Sequence, residues 1–132
     1  VERLLRSRLC ASTPAQFGYL AGLTDDSEWL KDHRSRIKER LDYCIERISK
    51  IDGLECEPPG GAFYLFVRIT DERLSSDDKK VVLQLLEEKH VLVVHGSGFS
   101  PEYGRGHFRM VCLPTIEILD EAFNRISDFL GG

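Results

Sequence analysis

The stretch Ala62-Phe63-Tyr64-Leu65-Phe66-Val67-Arg68-Ile69 constrains the fold more than any other part of the chain. Its aromatic and β-branched side chains suit a pleated, half-buried strand. Such a strand needs partners, because an isolated hairpin is at best marginal in water. Leu54 to Glu57 reads as a short strand before it, with Pro58-Pro59-Gly60-Gly61 as a rigid turn between the two. Val91 to His95 is nearly all apolar and reads as a strand of the buried kind. His107 to Leu113 alternates, so that His107, Arg109, Val111 and Leu113 share one face while Phe108, Met110 and Cys112 point the other way.

Helical periodicity accounts for most of the remainder. Val1 to Cys10 reads as the tail of a helix. Thr13-Pro14-Ala15-Gln16 is a helix start, with Thr13 as cap and Pro14 at the first helical position. That helix should reach about Leu23, with Phe17, Leu20 and Ala21 on one face. From Glu28 to about Ile51, Leu30, Ile37, Leu41, Cys44 or Ile45, Ile48 and Ile51 recur at helical spacing, and Asp52-Gly53 closes the segment. Thr70 to Ser76 is a polar loop. Asp77 to about Lys89 is helical with Val82, Leu85 and Leu86 inward, and Ile116 to Leu130 is helical with Leu119, Ala122, Phe123, Ile126 and Leu130 on one side. The expected architecture is a two-layer α/β sandwich: a small mixed, largely antiparallel sheet of about four strands packed against helices. One face of that sheet is left for something else.

Composition excludes several functions. With 132 residues, 42% hydrophobic and 30% charged, the chain suits a single soluble domain. A net charge of -4 opposes a nucleic-acid role, and the basic residues of the long helix are interleaved with Glu and Asp as local ion pairs. No apolar run approaches the roughly 20 residues of a membrane helix. With no signal peptide visible, the expected compartment is the cytoplasm. Cys10, Cys44, Cys56 and Cys112 form no Cys-x-x-Cys pair and read as reduced thiols, with no metal site. The chain opens on Val1, not Met, and is expected to be a fragment or an excised domain.

Three features could carry chemistry. Gly96-Ser97-Gly98 lacks the third glycine and the lysine of a phosphate loop. His95 and Ser97, taken as base and nucleophile, lack a strained elbow and an orienting carboxylate at recognisable spacing. Arg109 is the stronger candidate, since a guanidinium cannot shed its charge and needs an anionic partner. Pattern alone leaves two partners open. One is a neighbouring Asp or Glu on a half-exposed sheet; the other is a bound carboxylate gripped by two parallel hydrogen bonds.

Pro59-Gly60-Gly61-Ala62-Phe63-Tyr64-Leu65-Phe66 resembles the Pro-x-Gly-x-Phe-Tyr/Phe hairpin of class I/II aminotransferases. Val91 to Phe99 is similar to that family's following Val-x-Val-x-Pro-Gly-Ser-x-Phe-Gly segment, and His107-Phe108-Arg109-Met110 resembles its His-x-Arg-[Ile/Leu/Met] strand. Thr13-Pro14-Ala15-Gln16 matches a family helix start, and the matches keep the family's order over nearly the whole chain. His95 departs from the pattern, standing where the family often has Pro.

The resemblance implies a fold type I enzyme using pyridoxal phosphate, of which residues 1–132 are the C-terminal small domain, with 1–25 linking to a large cofactor domain. It implies that Arg109 holds the substrate α-carboxylate, that the Gly60-Gly61 backbone lies near substrate, and that amino acids and 2-oxo acids are the substrates. It implies a homodimer for the full-length enzyme. The Schiff-base lysine is missing with its motif, since Lys31, Lys38, Lys50, Lys79, Lys80 and Lys89 all sit on charged helix faces or helix ends. The isolated chain is therefore expected neither to bind the cofactor tightly nor to turn over. A related carbon–sulfur lyase or synthase, or a stand-alone α/β ligand-binding or interaction module, remains an alternative.

Overall fold

The computed structural model describes residues 11–25 and 27–131. Val1 to Cys10, including the expected helix tail and Cys10, lies outside the described residues. The chain divides into two compact units, residues 1–34 and 35–132.

In the first unit, helix α1 spans Thr13–Thr24. Its cap is Ser12, one residue before the expected Thr13, and the Ala15 N–H donates to the Ser12 hydroxyl at 3.4 Å. Pro14 stays within the first turn, where its missing N–H costs nothing. The Gln16 side chain donates to the Ala11 carbonyl at 2.9 Å, tying the first turn back to the segment before the cap. Helix α2, Glu28–Ile48, starts in this unit, where Trp29 stacks on His33 at 5.8 Å.

The second unit holds the core. Helix α2 ends at Ile48, three residues before the sequence expectation, because Ser49 to Gly53 turns to meet the sheet; Ile51 is nevertheless buried. Strand β1 (Leu54–Cys56) pairs antiparallel with β2 (Tyr64–Ile69). β2 thus begins at Tyr64, not Ala62, and β1 stops at Cys56, not Glu57. A short helix α3 (Glu72–Ser75), capped by the Asp71 carboxylate on the Arg73 N–H, occupies part of the expected polar loop. Helix α4 (Asp78–Lys89) follows, with Asp77 as its cap. Val81 joins Val82 and Leu85 in the core, whereas Leu86 is partly exposed.

Of the strand expected over Val91–His95, Val94–His95 forms β3. The reason lies one step earlier: His90 turns left-handed, and the Val91 N–H is spent on the Leu85 carbonyl, closing α4. Nor is this a fully buried strand. Val93 is buried, but Leu92 and Val94 face outward at the sheet edge. Strand β4 (His107–Val111) lies between β2 and β3 and pairs antiparallel with both; helix α5 (Ile116–Leu130) ends the chain. The sheet order is β1-β2-β4-β3, and its three pairings are all antiparallel.

Alternation along the two central strands separates the faces. Leu65, Val67, Ile69, Phe108 and Met110 point into a core shared with Leu41, Cys44 and Ile48 of α2, Leu85 of α4, and Leu119, Phe123 and Ile126 of α5. Cys44, Cys56 and Cys112 are free thiols. Its hydrogen bond to Cys44, and then burial, push the Cys112 thiol far up, keeping it neutral in the core. The opposite face carries Tyr64, Phe66 and Arg68 from β2 and His107, Arg109 and Val111 from β4. None of these six is buried.

Candidate substrate-binding site

Arg109 stands at the middle of β4, opposite Phe66 of β2 and Val94 of β3. It shares its face with His107 and Val111, as the alternation predicts, because Phe108 and Met110 occupy the core side. Its guanidinium carbon sits 4.6 Å from the Tyr64 ring centroid and 4.3 Å from that of Phe99. Two ring faces thus hold the cation by attraction to their π-electrons, leaving the fork's N–H groups in a fixed plane.

Among the described residues no Asp or Glu pairs with Arg109. Its Nε is buried and has no hydrogen-bond partner, the one side-chain nitrogen or oxygen in that condition among the described residues. Leaving a charged donor buried and unmade is costly, so such a group is a natural place for a ligand acceptor. A cavity of about 920 Å³ includes Arg109, Tyr64, Phe66, His107 and Pro59 in its wall, within the size range of small-molecule sites.

The hairpin turn beside this face is open. A Cβ built on Gly60 or Gly61 meets nothing within 4 Å, so neither glycine is there to relieve crowding inside the chain. The left-handed residue of the turn is Ala62, at φ 65°, a conformation that costs an L-residue about 1–2 kcal/mol. Behind it, the Cys112 N–H donates to the Phe63 carbonyl at 2.9 Å and ties the turn to the end of β4.

The Gly-Ser loop is a single 3-10 turn, Gly96–Gly98. His95 and Ser97 do meet, with Nδ1 3.0 Å from the hydroxyl oxygen, but as a cap. Nδ1 accepts the Gly98 N–H at 3.1 Å, so the Ser97 hydroxyl donates to the same nitrogen. The nearby Asp78 carboxyl takes the Ser97 N–H at 2.7 Å and is not engaged with the imidazole. A hydrolytic triad is not assembled here.

Tyr64, Phe99 and Asp78 were not singled out from the sequence. The alternation of β2 could have put Tyr64 on the Arg109 face, but register across to Val111 was needed to bring the ring over the cation. Phe99 comes from a loop, where no periodicity applies.

Residues 3–126 match the family described as aminotransferase class I and II. The chain belongs to that family. It is 34% identical over 134 residues to the glutamate-pyruvate aminotransferase AlaA of Haemophilus influenzae, covering 98% of this chain and 33% of the relative. It is 38% identical over 121 residues to the aspartate aminotransferase of Thermotoga maritima, covering 92% and 29%. Among solved structures, an alanine aminotransferase from Pyrococcus furiosus superposes with a TM-score of 0.84 at 50% identity, over 98% of this chain and 32% of that one. The chain therefore spans about a third of the length of the aminotransferases it matches.

Aminotransferases of this family imply pyridoxal phosphate, and the lysines decide whether this chain suits it. Lys38 is bound to Asp42 at 2.5 Å, Lys50 to Glu46 at 2.5 Å, Lys31 to Glu28 at 3.4 Å, and Lys89 to Asp128. Lys79 and Lys80 are exposed on α4. No lysine shares the sheet face of Arg109, and the described residues do not fit a site for that cofactor. Among the described residues no helix is long and apolar enough to cross a membrane, and no cluster of His, Cys, Asp and Glu could hold a metal.

Proposed function

We propose that this chain is the C-terminal small domain of an amino-acid aminotransferase, and that Arg109 binds the substrate α-carboxylate. The observation that carries the reading is the state of the guanidinium: held over two aromatic rings, with no acidic partner among the described residues, and with a buried Nε that has no hydrogen-bond partner there. A carboxylate arriving on the open face would accept from two N–H groups of the fork, and its position would then be set in two dimensions. Fixing the carboxylate fixes the substituents on the adjoining Cα, which is how this domain would contribute to rate. Tyr64 and Phe99 would shield the pair from water and strengthen it. The open space at Gly60 and Gly61 leaves room for substrate beside the clamp.

In this reading the cofactor and its lysine lie with the rest of the enzyme, so the isolated chain is inactive. The full-length enzyme is a homodimer of the cytoplasm that passes an amino group between an amino acid and a 2-oxo acid. The names of the relatives make alanine with 2-oxoglutarate, and glutamate with pyruvate, the first pairs to assay.

A panel of amino acids offered to the full-length enzyme, with and without a 2-oxo acid acceptor, tests this directly. Turnover that depends on the acceptor supports transamination. Turnover without it, releasing the 2-oxo acid or a thiol, would point to elimination chemistry instead.

A further inference from the structure

Asp78 is the one charged side chain buried among the described residues, at 4% exposure. It opens helix α4, where an acidic group is favoured by the unpaired N–H groups of the first turn. A surface position would supply that advantage as well, so its burial asks for another reason. The partner is the Ser97 N–H, which donates to Oδ2 at 2.7 Å, the short distance of a charge-assisted bond.

The bond enters a turn with little slack. The Phe99 N–H donates to the Gly96 carbonyl at 2.9 Å, and the Gly98 N–H to His95. Gly96 and Gly104 pack backbone against backbone: a Cβ on Gly96 would lie 2.2 Å from the Gly104 carbonyl oxygen, and one on Gly104 2.0 Å from that of Gly96. Phe99 leaves this turn with its side chain 51% exposed. The core therefore does not hold its ring, which lies 4.3 Å from the Arg109 guanidinium carbon and meets Phe66 edge-on at 6.3 Å. Its place follows from the backbone of the turn.

We infer that Asp78 is a positioning residue for the carboxylate clamp: by holding the Ser97 N–H it fixes the Gly96–Gly98 turn, and the turn keeps the Phe99 ring on the guanidinium of Arg109. Asp78 touches no substrate in this arrangement and acts through Phe99. The inference rests on the reading of Arg109 as the carboxylate-binding residue.

The test uses the full-length enzyme and two substrates, the amino acid it turns over best and the carboxamide of that amino acid. The ratio of their kcat/KM values reports how well the carboxylate is recognised. Arg109→Leu should collapse the ratio; if it does not, the clamp itself is overturned and this inference with it. Asp78→Ala should lower the ratio about tenfold, chiefly through KM for the amino acid, and Phe99→Leu should do the same. Asp78→Asn, whose amide oxygen can still accept from Ser97, should restore most of it. A merely structural role would depress both substrates equally. An unchanged ratio in Asp78→Ala, with Arg109→Leu collapsed, overturns the inference alone. Should Asp78→Ala show no cooperative melting transition, Gly98→Ala decides, because its new methyl would press on the His95 ring and shift the turn without touching Asp78. Loss of discrimination in both Gly98→Ala and Phe99→Leu then supports the inference, and full retention in either overturns it.

Discussion

The two faces of the sheet are made from the same strands and differ in nearly every physical respect. Behind β4, Phe108 and Met110 are 3% and 6% exposed and sit among aliphatic side chains of three helices. In front, Phe66, Val94 and Val111 are each about 40% exposed around a cation that pairs with no Asp or Glu among the described residues. Phe108 and Arg109 are adjacent in the chain yet serve opposite ends. One stabilises the fold, and the other turns to the open face.

The sharpest way to break this comparison is to exchange the roles of the two neighbours. Arg109→Leu in the full-length enzyme should lower kcat/KM for amino acids about 10²–10⁴-fold, the worth of two charge-assisted hydrogen bonds, while the melting temperature stays near that of the parent. Unchanged kinetics would remove the carboxylate from Arg109. Phe108→Ala should do the reverse, costing about 3–5 kcal/mol in urea unfolding because a cavity opens beneath the sheet. A cost below about 1 kcal/mol would mean that the back face is not packed as described.

Phe66→Ala sharpens the contrast further. Its ring stacks on His107 at 5.0 Å but remains 40% exposed, so its loss should cost only about 1 kcal/mol. A loss as large as that of Phe108→Ala would show that the open face carries the fold after all.

The smallest effect concerns the helices behind the sheet. The Tyr43 hydroxyl on α2 donates to Asp120 on α5, and Arg47 pairs with the same carboxylate. The Tyr43 bond first, and the Arg47 charge after desolvation is set against it, hold the Asp120 carboxyl below the usual carboxylate range. A carboxyl group whose folded value is depressed adds stability above its unfolded value and loses it as pH falls through the folded one. Melting temperatures followed from about pH 5 down to pH 2 should therefore fall less steeply for Asp120→Asn than for the parent. Parallel curves would detach this carboxylate from acid stability.

Much of the architecture was legible in the chain. The alternation of His107 to Leu113 separated the two faces of that strand, because alternation along a strand is rigid. The amphipathic stripes of α4 and α5 named most of the buried helical side chains, with Val81 in place of Leu86 on α4 and with Ala122 and Leu130 of α5 only partly buried. Boundaries were less legible where local hydrogen bonding overrode composition. The Ser12 cap in place of Thr13, and the shortening of the Val91–His95 strand by the closing turn of α4, are both of this kind. The family pattern pointed to Arg109, and its residues stand in the expected order.

By itself, then, the sequence determined the two-layer fold, the face on which Arg109 lies and the family to which the chain belongs. The tertiary structure decided what surrounds that arginine. Whether a strand arginine meets an acid or an aromatic ring depends on the register between strands and on where a loop returns. Neither is encoded in the periodicity of one segment. Tyr64 and Phe99 reach the guanidinium from a neighbouring strand and from a turn anchored on Asp78. Those contacts, and the absence of an acidic partner among the described residues, are what make this arginine the candidate for binding a carboxylate.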